Sequence, residues 1–154
     1  MHDDDGLFVI DDWSFGFCDM PTALKTVSGI AGDNYSAFVE GLVRGMYNDA
    51  DADPELVTLL ADAVATDPNM AARLLWNHLT QDWRDVLPRI GLPTLVLGGT
   101  NSHIVSWRAS EYTANAIPGA RLELFEGAGH AVQREQPEKV TDLLRTFLAS
   151  QHQR

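Results

Sequence analysis

Two stretches near the carboxy terminus constrain this chain more than any others: "LPRIGLPTLVLGG" and, after a short interval, "IPGARLELFEGAGHAVQREQPEKV". Thr94 to Leu97 are a short run of β-branched and aliphatic residues ended by Gly98 and Gly99, and Leu122 to Phe125 are a second short segment followed by Gly127. Both are short for helices; the first lacks polar alternation and reads as a buried strand, and the second, Leu-Glu-Leu-Phe, reads as a further strand. Residues 107–116 between them have amphipathic helical spacing. Pro137 to Leu148 form a second helix with Val140, Leu143, Leu144 and Phe147 inward. Strands alternating with helices imply an α/β fold with a parallel sheet.

The amino-terminal part adds to the same pattern. Leu7 to Ile10 are a continuous apolar run flanked by acids, which predicts a third buried parallel strand almost at the start of the chain. A central strand needs neighbours on both sides, so the chain begins as if part of a sheet had already been laid down. "DDWSFGFCDMPTALK" then reads as loop. Residues 36–80 read as three short helices: one from a Ser36 cap with Phe38, Leu42 and Met46 inward, one opened by Asp53-Pro54, and one opened by Asp67-Pro68 with Met70, Leu74, Leu75 and Leu79 inward. The organisation expected is one domain, incomplete: a first core strand and loop over 1–35, a helical cap over 36–81, and carboxy-terminal core elements over 82–154. The acid-rich "DADADP" neighbourhood reads as a solvated connector, because its carboxylates lack a surrounding ligand frame.

Composition excludes several functions. A net charge of -11 and the lack of any basic run argue against nucleic-acid and membrane-surface partners, which recruit clustered Lys and Arg. The single cysteine, Cys18, forms no internal disulfide, and no targeting or membrane-length segment is visible, so a cytoplasmic location is expected. No cofactor motif is present. A metal site from His78, His103 and His130 would need three distant segments to converge, and no H-E-x-x-H or Cys/His pairing supports it.

The residue that carries chemistry is His130, set in a Gly127-Ala128-Gly129 loop between a strand and a helix. The proline-led strand, the small-Gly-His loop and the "QPEKV" helix start together resemble the carboxy-terminal part of the α/β-hydrolase fold superfamily, over residues 82 to 149. "GLFVIDD" is similar to that family's strand after the nucleophile helix, and the helical block stands where the family has its cap. The resemblance implies a partial α/β-hydrolase fold of about three parallel strands, with His130 as the catalytic base.

Two departures from the family shape the functional expectation. The G-x-S-x-G elbow that bears the nucleophile is absent, "TVSGIAG" around Ser28 being a poor imitation without the first glycine. At the usual acid position "GGTNSHIVS" aligns Ser102, and a serine cannot stabilise an imidazolium by charge. Haloalkane dehalogenases and cofactor-free ring-cleaving dioxygenases resemble a second arrangement, with the acid one element earlier; here that is Asp11, or Asp12 if the strand is one residue longer. Trp13 and Phe15 would then line an apolar substrate pocket, and His103 would stand at its mouth.

The expectation is therefore a carboxy-terminal portion that supplies the His and Asp of a Ser-His-Asp triad for a small apolar substrate. Its nucleophile would lie upstream, so the chain would be inactive alone. One alternative is a dioxygenase-like enzyme whose His/Asp pair deprotonates substrate. The other is a non-enzymatic truncated domain that dimerises or binds a ligand, self-associating through its exposed sheet edge.

Overall fold

A computed structural model describes residues 20–32 and 34–151. The expected strand at Leu7 to Ile10 lies outside the described residues, as do Asp11, Asp12, Trp13, Phe15 and Cys18.

The α/β reading holds. Strand β1 (Leu95–Gly99) pairs with β2 (Arg121–Phe125) in parallel, from Leu95 opposite Arg121 to Gly99 opposite Phe125. Parallel neighbours require a crossover, and helix α5 (Trp107–Ala116) supplies it. Its start is capped by Ser106, whose hydroxyl accepts the Arg108 N–H. Its inner face is small, with Ala109 and Ala114 buried, so the helix lies close to the sheet. The fit is tight enough that a Cβ at Gly98 would stand 2.7 Å from Ser110 Oγ.

After β2 come the short helix α6 (Val132–Glu135) and the long α7 (Pro137–Gln151). Phe125, Ala128, Val132 and Val140 form a buried cluster against Leu97 and Leu143, with Phe125 fully enclosed. Leu144, expected inward, is 43% exposed: α7 turns a narrower stripe to the sheet than its sequence offers.

The block before the sheet contains α1 (Met20–Ala31), α2 (Tyr35–Gly45), α3 (Leu56–Ala65) and α4 (Pro68–Leu79). Helix α1 corrects the loop expected to run through Lys25. Its apolar signal is diluted by Thr, Ser and Gly, but Ala23, Thr26 and Ile30 fall on one face and are buried, and α1 packs on α4. Packing rather than propensity makes this a helix.

In α2 the buried stripe runs through Val39, Val43 and, just beyond the helix, Tyr47, one position later than the expected Phe38, Leu42 and Met46. Leu56 of α3 and Ala131 complete that cluster. Helix α4 is capped by Asp67, whose carboxylate accepts the Met70 N–H at 2.8 Å, with Pro68 opening the helix as expected. Its inward face is different, however. Ala72 is buried while Met70 and Leu74 are 60% and 65% exposed. No helix among the described residues is long and apolar enough to cross a membrane.

Candidate functional site

The site is built where the loops after β1 and β2 meet, beyond the carboxyl ends of the parallel strands. Gly127 turns the chain after β2 with a φ of 71°, a left-handed conformation that favours glycine. The two loops then run backbone against backbone. The Thr100 N–H reaches the Phe125 carbonyl at 3.1 Å, Gly127 N–H donates to Thr100 Oγ1 at 2.9 Å, and Asn101 N–H donates to the Ala128 carbonyl at 2.9 Å. A Cβ on Gly99 would run into the carbonyls of Gly129 and Ala128. Gly99 is therefore needed for the approach as much as for ending the strand.

That approach brings two side chains together. Ser102 Oγ lies 3.5 Å from His130 Nδ1, at the long end of hydrogen-bonding distance. The serine is itself held, its N–H donating to the Gly99 carbonyl at 3.3 Å and its Oγ accepting the Val105 N–H at 3.2 Å. Since that N–H occupies an acceptor lobe, the hydroxyl proton is free to point at the imidazole. His130 keeps solvent contact, yet the packed loops desolvate it and lower its pKa from 6.5, which favours the neutral ring a base requires.

The pair corrects the functional expectation. The sequence expectation places the nucleophile upstream, with the nucleophile-bearing half missing and the chain inactive alone. A serine hydroxyl in fact faces the histidine, on the turn between β1 and α5. The dioxygenase-like alternative rested on the early acid, Asp11 or Asp12, and the non-enzymatic one on a truncated sheet; a serine hydroxyl facing the histidine is what a hydrolase pair presents instead. Charge at the acid position marks Ser102 only as a lost acid; the close approach of the two loops is what sets its hydroxyl opposite the imidazole. Ser28, the weaker candidate, is exposed on α1.

His103 follows Ser102 and is exposed at the rim. Asp11, Asp12, Trp13 and Phe15 lie outside the described residues, so His130 and His103 alone of the expected site residues have a described place. Among the described residues, no three His, Cys, Asp or Glu side chains converge in a way that could hold a metal ion.

The helical block grips the histidine loop from the other side. Ala131 N–H donates to the Met46 carbonyl at 2.8 Å, and a Cβ on Gly129 would stand 2.5 Å from the Asn48 nitrogen. Glu135 accepts the Gly129 N–H at 2.5 Å through one oxygen and the Asn48 N–H through the other. Asn101 Nδ2 donates to Asn48 Oδ1 at 3.0 Å, tying the serine loop to the same segment.

Of the acids expected to be solvated at 49–53, Asp49 and Asp51 are exposed, and Asp53 is the one that needs correction. Asp53 has only 6% of its side chain exposed and accepts two bonds from Arg134, at 2.5 and 3.0 Å, and one from Tyr47 at 2.8 Å. Arg134 and the Glu55 N–H hold the Asp53 carboxyl well below the usual carboxylate range. Asp53 and Glu55 in turn raise the Arg134 guanidinium above its ordinary value. A cavity of about 280 Å³ opens between residues 47–54 and the histidine-loop side, lined by Tyr47, Asp53, Gly127 and Arg134 among others. Neither Ser102 nor His130 lines it. Sequence reading missed Asp53, Arg134 and Glu135, whose partners lie about 80 residues away.

Residues 5–143 match a family model described as the alpha/beta hydrolase family. A putative carbamate hydrolase from Pseudomonas syringae is 36% identical over 100 residues, which are 64% of this chain and 39% of that protein. The bovine monoacylglycerol lipase ABHD6 is 33% identical over 66 residues, 43% of this chain and 20% of that protein. Among solved structures, an esterase from Exiguobacterium antarcticum superposes with a TM-score of 0.79 at 20% identity, covering 86% of this chain and 49% of the esterase. A bromoperoxidase from Bacillus anthracis gives 0.81 at 21% identity, covering 95% and 55%. The chain thus spans less than half the length of these curated relatives and about half that of the structures, whose likeness at such identities concerns the fold alone.

Proposed function

Because this chain belongs to the alpha/beta hydrolase family, we propose that it is a hydrolase whose reaction centre is the Ser102–His130 pair. The observation that carries the reading is the 3.5 Å approach of the serine hydroxyl to the imidazole. His130 takes the Ser102 proton as Oγ attacks a carbonyl carbon, and the oxyanion collapses as the leaving group receives that proton from the imidazolium. Water then hydrolyses the acyl-serine by the same steps in reverse. The contact made here is through Nδ1, which leaves Nε2 as the ring nitrogen open to a carboxylate.

Asp11, with Asp12 as its neighbour, is the acid proposed for that role, with Trp13 and Phe15 as an apolar wall and His103 at the rim. The substrate class is a small, largely apolar ester or carbamate. The names of the relatives support a carbonyl substrate, since they describe a carbamate hydrolase, a lipase and an esterase.

The test is hydrolysis of p-nitrophenyl acetate together with labelling by a fluorophosphonate, followed by mass spectrometry. Labelling is expected on Ser102, and both Ser102→Ala and His130→Ala are expected to lower kcat/KM by roughly 10³-fold or more. The acid limb of the wild-type profile should fall below pH 6.5, since the base works only when neutral and its pKa is lowered. Full turnover by Ser102→Ala with loss in His130→Ala would overturn the nucleophile assignment, leaving the serine as a hydroxyl that orients the ring.

A further inference from the structure

We propose that Glu135 is the positioning residue of this site, setting His130 against Ser102 by holding the histidine loop and the segment after α2 with one carboxylate. The inference rests on the hydrolase reading for its kinetic consequence and on geometry for the rest. Both backbone neighbours of His130 are fixed by their N–H groups: Gly129 donates to Glu135 Oε2 at 2.5 Å, and Ala131 donates to the Met46 carbonyl at 2.8 Å. The other Glu135 oxygen takes the Asn48 N–H, with the Asp49 N–H at 3.4 Å.

One side chain therefore bridges three amides on two segments that are 86 or 87 residues removed from it or within its own loop. A carboxylate is suited to this because it has acceptor lobes only and offers them on two oxygens. Charge-assisted bonds to N–H groups are stronger than neutral ones, which matters where a loop must be held to a fraction of an ångström. The segment that Glu135 grips is also the one that reaches the serine loop, through Asn48 Oδ1 and Asn101 Nδ2 at 3.0 Å. Arg134, the preceding residue, pins the same short helix to Asp53 and Glu55. Histidine loop, serine loop and helical block thus share a junction, and Glu135 supplies the side chain that bonds to Gly129, the residue before His130.

Glu135 touches neither reacting side chain, so its effect should show in alignment rather than in substrate affinity. The experiment compares the full chain with Glu135→Gln and Glu135→Ala, reading p-nitrophenyl acetate kinetics and the NMR titration of the His130 ring. In Glu135→Ala, kcat is expected to fall roughly tenfold to a hundredfold with KM little changed. The His130 midpoint should rise toward that of an ordinary histidine as water enters the loosened loop. Glu135→Gln should lie between, since its carbonyl oxygen can serve one segment while its NH2 confronts the other N–H.

Should the alanine variant fail to fold, the glutamine variant, nearly isosteric, carries the test. Folded variants with wild-type kcat and an unmoved His130 titration would overturn the proposal. Movement of the titration in a chain that hydrolyses no ester would uphold the positioning role and sink the hydrolase reading instead.

Discussion

The junction around His130 and the helical block beside it are held by different physics. At the junction, backbones approach so closely that Gly99 and Gly129 have no room for a side chain, and nearly every loop amide from 100 to 102 and at 127 to 129 has a named partner. The block relies on two small buried faces, Val39, Val43 and Tyr47 against Leu56, and Ala23, Thr26 and Ile30 where α1 packs on α4, while Val57, Met70 and Leu74 are at least 60% exposed. The contrast teaches where tolerance to change should lie. A site whose geometry is written in backbone contacts has no slack, whereas a helix packed through alanines and half-buried leucines has a good deal.

Gly99→Ala should break the contrast most sharply. Its methyl meets two carbonyls that cannot rotate away, so the loss is expected to be about 3 kcal/mol in urea unfolding, with hydrolysis falling alongside as Ser102 and His130 separate. A loss under about 0.5 kcal/mol, the range of ordinary surface changes, would show that the loops part easily.

Asp53→Asn tests the tie between the two regions, with an effect that depends on pH. The Asp53 carboxyl has a folded pKa below its unfolded value of 3.8. Its contribution to stability is therefore fully present above that value and is lost as pH falls through the folded pKa. Wild type should exceed Asp53→Asn in urea midpoint at neutral pH, and the gap should narrow steadily below about pH 4. A gap that is the same at pH 7 and in strong acid would mean that Arg134 gains nothing from the charge.

The smallest effect is expected at Leu74→Gln. With 65% of the residue already exposed, stability should change by no more than about 0.5 kcal/mol. A loss of several times that size would show that this face of α4 is covered in solution, and would move the tolerant region elsewhere.

How far these regions were legible differs in the same way. Both described strands, the crossover helix and the closing helix could be read within a few residues, because period and glycine punctuation are local signals. The N-cap of α4 was equally plain, since Asp67-Pro68 acts on its own turn. Helix α1 was missed because its face is built from Ala, Thr and Ile, too mixed to stand out until α4 lies against it. The α2 stripe was misjudged by one position: Phe38 and Val39 are both apolar, and only the partner decides which of them goes inside. At the candidate site, the glycine loop that presents His130 was legible, and the serine facing it was not. Asp53 looked like one solvated acid among several, and nothing near it in sequence announces Arg134.

The amino-acid sequence by itself determined the alternation of strands and helices, the glycines at the strand ends and the loop histidine. Each of these follows from local backbone preference and short-range periodicity. Only the tertiary structure decided that Ser102 is the group opposite that histidine, and that Glu135 and Arg134 bind the helical block to its loop. Those pairings join segments between 28 and 87 residues apart. A hydrogen bond over such a separation depends on where the whole chain comes to rest, and no local pattern records it.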